Sequence, residues 1–197
     1  GLTSSPTQLR WTVTKNGCPS SNLVTIINNK VTATASPLLT TCDGTVTLDG
    51  NNPNPGTGEW KKVVSGAPGN IVNTSAYNTQ VNSIPQETSI SLRWIVTSAV
   101  GGCKDSVQIV IRNNDFNLSA GLNRTTCVDT IQLSADSPAP GTGLWTVANG
   151  AGTFDTPTSN QSVVRNIGVG TNIYTWTVNK NGCPKSANVT ITNNQVF

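Results

Sequence analysis

The chain has 197 residues, of which 35% are hydrophobic and only 11% charged, with a net charge of +3. That balance excludes a disordered polyelectrolyte, which combines few apolar residues with high net charge. The longest basic run, Lys61-Lys62, falls short of the clustered footprint that nucleic acid requires, and no apolar run approaches the ~18 residues of a membrane-spanning helix.

One pattern recurs three times and sets the organisation. It reads LRWTVTKNGCPSSNLVTIINN at Leu9–Asn29 and YTWTVNKNGCPKSANVTITNN at Tyr174–Asn194, matching at 14 of 21 positions without a gap. The middle copy, Leu92–Asn114, carries two extra residues between its Trp and its Cys. The repeat divides the chain into three parts: residues 1–29, the C-terminal hairpin of a truncated repeat; a full repeat over 30–114; and a second full repeat over 115–197. Since the chain starts and stops inside the pattern, it is expected to be a piece of something longer.

In residues 1–29, Leu9, Trp11 and Val13 alternate with polar neighbours, the period of a half-buried strand. Asn16-Gly17 supplies the residue pair of a tight type I′ turn. A return strand follows through Val24 and Ile26. Lacking preceding strands, this hairpin is expected to lean on a neighbour or on a missing partner.

In the first full repeat, Val31, Ala33 and Ala35 predict a first strand that ends at Ser36-Pro37. Val46 and Leu48 predict the inward face of a second. Asn51–Gly58 (NNPNPGTG) is too rich in Asn, Pro and Gly to be anything but a loop. Trp60, Val63 and Val64 predict a third strand, Val81 and Ile84 a further one, and Leu92, Trp94 and Val96 the start of the closing hairpin. The second repeat keeps this plan: Phe116, Leu118, Ala120, Ile131 and Leu133 each follow their counterparts by 85 residues, and PNPGTGEW (Pro53–Trp60) returns as PAPGTGLW (Pro138–Trp145). About seven short strands in each 80–85 residues predict an all-β fold: tandem immunoglobulin-like (PKD-like) Greek-key β-sandwiches, arranged end to end because no Gly/Ser-rich or Pro-rich linker separates them. Trp11, Trp60, Trp94, Trp145 and Trp176 are expected in the core. A carbohydrate-stacking platform is the alternative, but their alternation with polar residues turns them inward.

The five cysteines occupy two positions fixed by the repeat. Cys42 and Cys127 precede the second strand; Cys18, Cys103 and Cys183 sit at the final hairpin. With no close Cys pair and no His, the pattern implies disulfides and an oxidising, extracellular setting rather than a metal or redox centre. In an immunoglobulin-like topology, pairs within a repeat (Cys42–Cys103, Cys127–Cys183) would have to cross a strand's length, against a Cα limit near ~7 Å. A link between repeats, Cys42–Cys183, is preferred on that ground, with Cys18, Cys103 and Cys127 meeting partners outside this stretch. Pairing within repeats and unpaired thiols remain the alternatives.

The absence of His removes Ser-His-Asp and Cys-His catalysis, and the nine carboxylates form no recurring acid/base couple. Neither catalysis nor a cofactor is expected. A calcium site among Asp43, Asp49 and Asp105 would need the DxDxDG density, which is missing.

The combination of TVTLDGNNPNPGTGEW (Thr45–Trp60), RWTVTKNGCP (Arg10–Pro19) and VTITNN (Val189–Asn194) resembles the Ig/PKD-like repeats of large Bacteroidetes surface proteins, the SprB-type gliding-motility adhesins above all. The resemblance covers essentially the whole chain. It implies cell-surface filaments exported by type IX secretion, associated with the outer membrane, and partnered by neighbouring repeats and the gliding machinery. It also implies O-glycans at Asp-Ser/Thr followed by an apolar residue, which places Ser106 and Thr130 as candidates. Three functions follow for testing: a structural stalk that projects a distal adhesive region; a module whose loops Asn51–Gly58 and Pro138–Gly143 grip an extracellular polysaccharide; or an accessory domain of a secreted enzyme. Those loops contain no aromatic residue, which favours the stalk.

Overall fold

A computed structural model describes residues 6–196, and among them every regular element is a β-strand. The chain forms two compact units: Gly1–Thr40 with Gly44–Arg112, and Thr41–Asp43 with Asn113–Phe197. The short segment Thr41–Asp43, part of the first full repeat in sequence, thus belongs to the second unit.

The first unit begins with a hairpin of β1 (Thr7–Lys15) and β2 (Cys18–Ile26), in register from Thr7 opposite Ile26 to Lys15 opposite Cys18. Asn16 and Gly17 take φ of 51° and 79°, the two positive values that a type I′ turn requires. Among the described residues nothing covers the hairpin: residues 8–25 are all exposed, and Trp11 is 72% accessible. This corrects its assignment to the core. Its equivalents Trp94 and Trp176 are covered by the remainder of a sandwich, and among the described residues no sheet faces Trp11.

The rest of the first unit is a sandwich. Strands β3 (Leu38–Thr41), β5 (Thr57–Lys62), β8 (Ser89–Thr97) and β9 (Lys104–Asn113) form one sheet in the order β3-β9-β8-β5; β4 (Val46–Thr47), β6 (Asn70–Ile71) and β7 (Gln80–Asn82) form the other in the order β4-β7-β6. The second unit repeats both orders. Strands β10 (Arg124–Thr126), β12 (Thr142–Asn149), β15 (Gly170–Lys180) and β16 (Cys183–Asn193) run β10-β16-β15-β12, and β11 (Ile131–Gln132), β13 (Thr153–Phe154) and β14 (Val163–Arg165) run β11-β14-β13. The first strand joins the last in parallel, as in β10 against β16. Seven strands in a four-plus-three arrangement with these crossovers make each unit's sandwich immunoglobulin-like.

Each core is organised by a tryptophan pair. Trp60 on β5 lies directly opposite Trp94 on β8, and Trp145 on β12 opposite Trp176 on β15, with ring centroids 5.0 Å apart in both pairs. All four are almost fully buried. Each indole N–H donates to an oxygen: Trp60 to Tyr77 O, Trp94 to Asn51 Oδ1, Trp145 to Ser159 O and Trp176 to Asp136 O. These rings are neighbours on one sheet, and pairing of this kind adds about 0.5–1.5 kcal/mol beyond simple burial. Leu48, Val81, Leu92 and Ile111 complete the first core; Leu133, Val164, Tyr174 and Ile191 complete the second.

Three predicted strands differ: the first of each repeat, since residues 116–120 form no strand ladder either, and the third of the first repeat. Residues 31–35 form no strand ladder, although Ala33 is buried. Side chains take the place of a partner strand there: Asp105 Oδ2 accepts from Ala33 N at 2.9 Å, Asn51 Oδ1 from Thr34 N at 2.8 Å, and Asp49 from Ser36 N at 3.0 Å. Asp136 does the same for Ser119 N in the second repeat, at 2.7 Å. The third strand begins at Thr57, before Trp60, and Val63 and Val64 beyond it are exposed. The last two residues of PGTG are therefore strand, and a side chain on Gly58 would start 2.1 Å from the Trp94 ring, as one on Gly143 would start 2.2 Å from Trp176.

Candidate functional site

Inside the second unit, Cys42 and Cys183 are joined by a disulfide with a Cα separation of 5.5 Å. Cys42 belongs to the sequence repeat 30–114 and Cys183 to 115–197, so the bond links successive repeats. It also excludes both pairings within repeats, since each would need Cys42 or Cys183. Cys18, Cys103 and Cys127 are free and exposed.

The surroundings of the bond are built from backbone outward. β16 begins at Cys183 immediately after the Asn181-Gly182 turn, whose φ values of 52° and 84° present the cysteine at the tip of the hairpin. Thr41 is the last residue of β3 and Cys42 follows directly on it. Thr41 O accepts from Asn114 N at 2.8 Å and lies 3.7 Å from Cys183 Sγ. Asn114 Nδ2 reaches across to donate to Asn181 O at 3.1 Å. One asparagine therefore holds both partners, its main chain on the Cys42 segment and its side chain on the turn that carries Cys183. Around it, Lys185 Nζ forms an ion pair with Asp115 at 2.7 Å and also donates to Phe116 O. Lys180 and Lys185 both lie over the Phe116 ring, at 5.4 and 5.8 Å. Thr41, Asn114 and Cys183 are buried.

The remaining candidates are dispersed. Asp43 accepts from Thr41 Oγ1 within its own turn, while Asp49 and Asp105 accept from Ser36 N and Ala33 N of the 31–36 segment; among the described residues no three potential metal ligands converge. Hydrogen bonds from the Ala33 and Ser106 amides hold the Asp105 carboxyl below its ordinary range. Arg165 does the same for Asp155 through a two-pronged ion pair on the surface. Ser106 is exposed on β9, whereas Thr130 is half-buried with its hydroxyl donating to Asp129 at 3.1 Å. The Asn51–Gly56 loop, with Asn28, Asn29 and Val100, lines a shallow groove of about 490 Å³ that contains no aromatic ring.

The sequence reading missed Asn114, Lys185 and Asp115. A signal was present: the Asn-Asn pair at Asn28-Asn29, Asn113-Asn114 and Asn193-Asn194 marks each repeat boundary, yet an exposed boundary does not require two amides three times over.

No protein-family model matches the chain. No curated protein matches it either. Solved structures with a similar course include extracellular domains 3–5 of Drosophila OTK, at 14% identity and a TM-score of 0.44 over 94% of this chain and 70% of that one. Drosophila N-cadherin EC1-3 aligns at 15% identity and a TM-score of 0.30 over 98% and 78%. A SusE-like surface-located polysaccharide-binding protein of Bacteroides thetaiotaomicron aligns at 8% identity and a TM-score of 0.34, over 83% of this chain and 34% of its own. Likeness at this level carries no function.

Proposed function

We propose that this chain is a non-catalytic structural segment of an extracellular adhesin at a bacterial cell surface, of the gliding-motility type exported by type IX secretion. The observation that carries the reading is the Cys42–Cys183 disulfide between successive repeats. A disulfide that links repeats needs an oxidising compartment, and covalent linkage suits a chain that must hold under load. The groove at the Asn51–Gly56 loop offers no ring for a sugar face to stack on, which weighs against a polysaccharide-gripping module. The sequence resemblance supplies the gliding and secretion part of the proposal.

Surface labelling tests it. Antibodies raised against this chain are expected to stain intact cells of the source bacterium and to inhibit their attachment and spreading on glass. Staining that appears only after permeabilisation would refute the reading.

A further inference from the structure

The occupied joint is a template for an open one. Cys127 follows Thr125-Thr126 as Cys42 follows Thr40-Thr41, 85 residues on. Asn194 N donates to Thr126 O at 2.8 Å, as Asn114 N donates to Thr41 O at 2.8 Å. The receiving half of the joint is therefore formed a second time, on the far side of the second repeat. There it is uncovered: Cys127 and Asn194 are exposed, while Asn114 in the occupied copy is 8% accessible.

The inserted half also exists a second time. Lys15-Asn16-Gly17-Cys18-Pro19 is identical in sequence to Lys180-Asn181-Gly182-Cys183-Pro184. Asn16 and Gly17 have φ of 51° and 79° against 52° and 84°, so both turns present their cysteine in the same way. Cys18 is exposed and free. The Cys103 turn differs: it is two residues longer, and Gly101-Gly102 replaces Asn-Gly.

We propose that the Thr126–Cys127–Asn194 surface binds the Lys15–Cys18 turn of a second copy of this chain and closes on it through a Cys127–Cys18 disulfide. Asn194 Nδ2 would donate to Asn16 O, as Asn114 does to Asn181 O. The ion pair is not reproduced, because Ser20 and Gln195 stand where Lys185 and Asp115 do; the covalent bond therefore holds most of the contact. The oxidant is a low-molecular-weight disulfide such as oxidised glutathione. The Cys127 thiolate attacks one of its sulfurs and expels a glutathione thiolate. The Cys18 thiolate then attacks the Cys127 sulfur of the mixed disulfide and expels the second. One protein disulfide forms, one glutathione disulfide becomes two thiols, and the protons lost by the cysteines end on glutathione. The two surfaces differ, so the contact is heterologous and propagates into open chains. This inference is independent of the adhesin reading.

The test incubates the purified chain with a glutathione redox buffer, followed by non-reducing electrophoresis and peptide mapping. A ladder of dimers, trimers and longer species is expected, linked through Cys18–Cys127 and returned to monomer by reductant. Cys18→Ser and Cys127→Ser each abolish the ladder, Cys103→Ser leaves it unchanged, and Asn194→Ala slows its growth about fivefold. Random mixtures of Cys18, Cys103 and Cys127 links, a Cys18–Cys127 link confined to monomers, or no cross-linking at all would each overturn the proposal.

Discussion

Replacing both Cys42 and Cys183 by Ala removes a bridge between residues 141 apart in sequence. In the chain-entropy treatment, a closed loop of that length restricts the unfolded state by about 5 kcal/mol at 25 °C. If the first unit stays folded while the second unfolds, the free part of the loop shrinks to about half. The logarithmic dependence on length then lowers the figure only to about 4 kcal/mol. The expectation is thus insensitive to which unit melts first. Measured bridges typically return about 2–4 kcal/mol, which for a unit of this size means a fall in Tm of about 10 to 25 °C. Calorimetry should be run without reductant, in a background where Cys18, Cys103 and Cys127 are Ser so that no thiol can reshuffle. The transition of the second unit is expected to drop by that amount. If every transition stays within about 2 °C of the parent, the bridge does not restrict the unfolded chain and the reasoning fails.

Two further outcomes follow from the cores. Gly58→Ala sets a Cβ 2.1 Å from the Trp94 ring and is expected to cost at least about 2 kcal/mol in urea denaturation. Gly50→Ala approaches the Trp60 and Trp94 rings only to 3.0 Å, at a position where the second repeat carries Ala135, and is expected to change stability by less than about 1 kcal/mol; equal costs would show that the indole pair does not set the spacing. Burial raises the Tyr174 hydroxyl, which donates to Ala151 O, from 10.0 to about 12. Its contribution is complete below pH ~10, where the phenol is neutral in both states, and is lost as pH rises toward about 12. In a Tyr77→Phe variant, tyrosinate absorbance should therefore appear near pH 12, and a midpoint near 10 would contradict the burial.

Much of this architecture was legible because it is repeated. A single Val or Leu in a Thr-rich stretch is ambiguous, but the 85-residue spacing of Leu48 with Leu133, or of Trp60 with Trp145, fixes the inward positions twice. The same logic misled at Trp11. Its alternation matches that of Trp94 and Trp176, yet burial depends on strands that a local pattern does not contain. The segment at residues 31–35 failed for another reason. Its amides are satisfied by Asn51, Asp49 and Asp105, and side-chain acceptors from distant loops leave no periodic trace. The cysteine pairing followed from strand length, a coarse quantity that sequence conveys well. The role of Asn114 rests on one hydrogen bond across the joint, which spacing does not convey.

The disulfide also changes what it means to cut this chain. Every peptide bond between Cys42 and Cys183 lies within a closed covalent ring. A single hydrolysis in the partly exposed Asn51–Gly56 loop or in the 98–102 turn opens the ring without releasing a fragment, because the pieces stay tied through sulfur. Two independent events, a cut together with a reduction, are needed to sever the molecule there. Residues 27–41, between the hairpin and Cys42, have no such second route, so a single nick in that stretch separates the hairpin's covalent backbone from everything that follows.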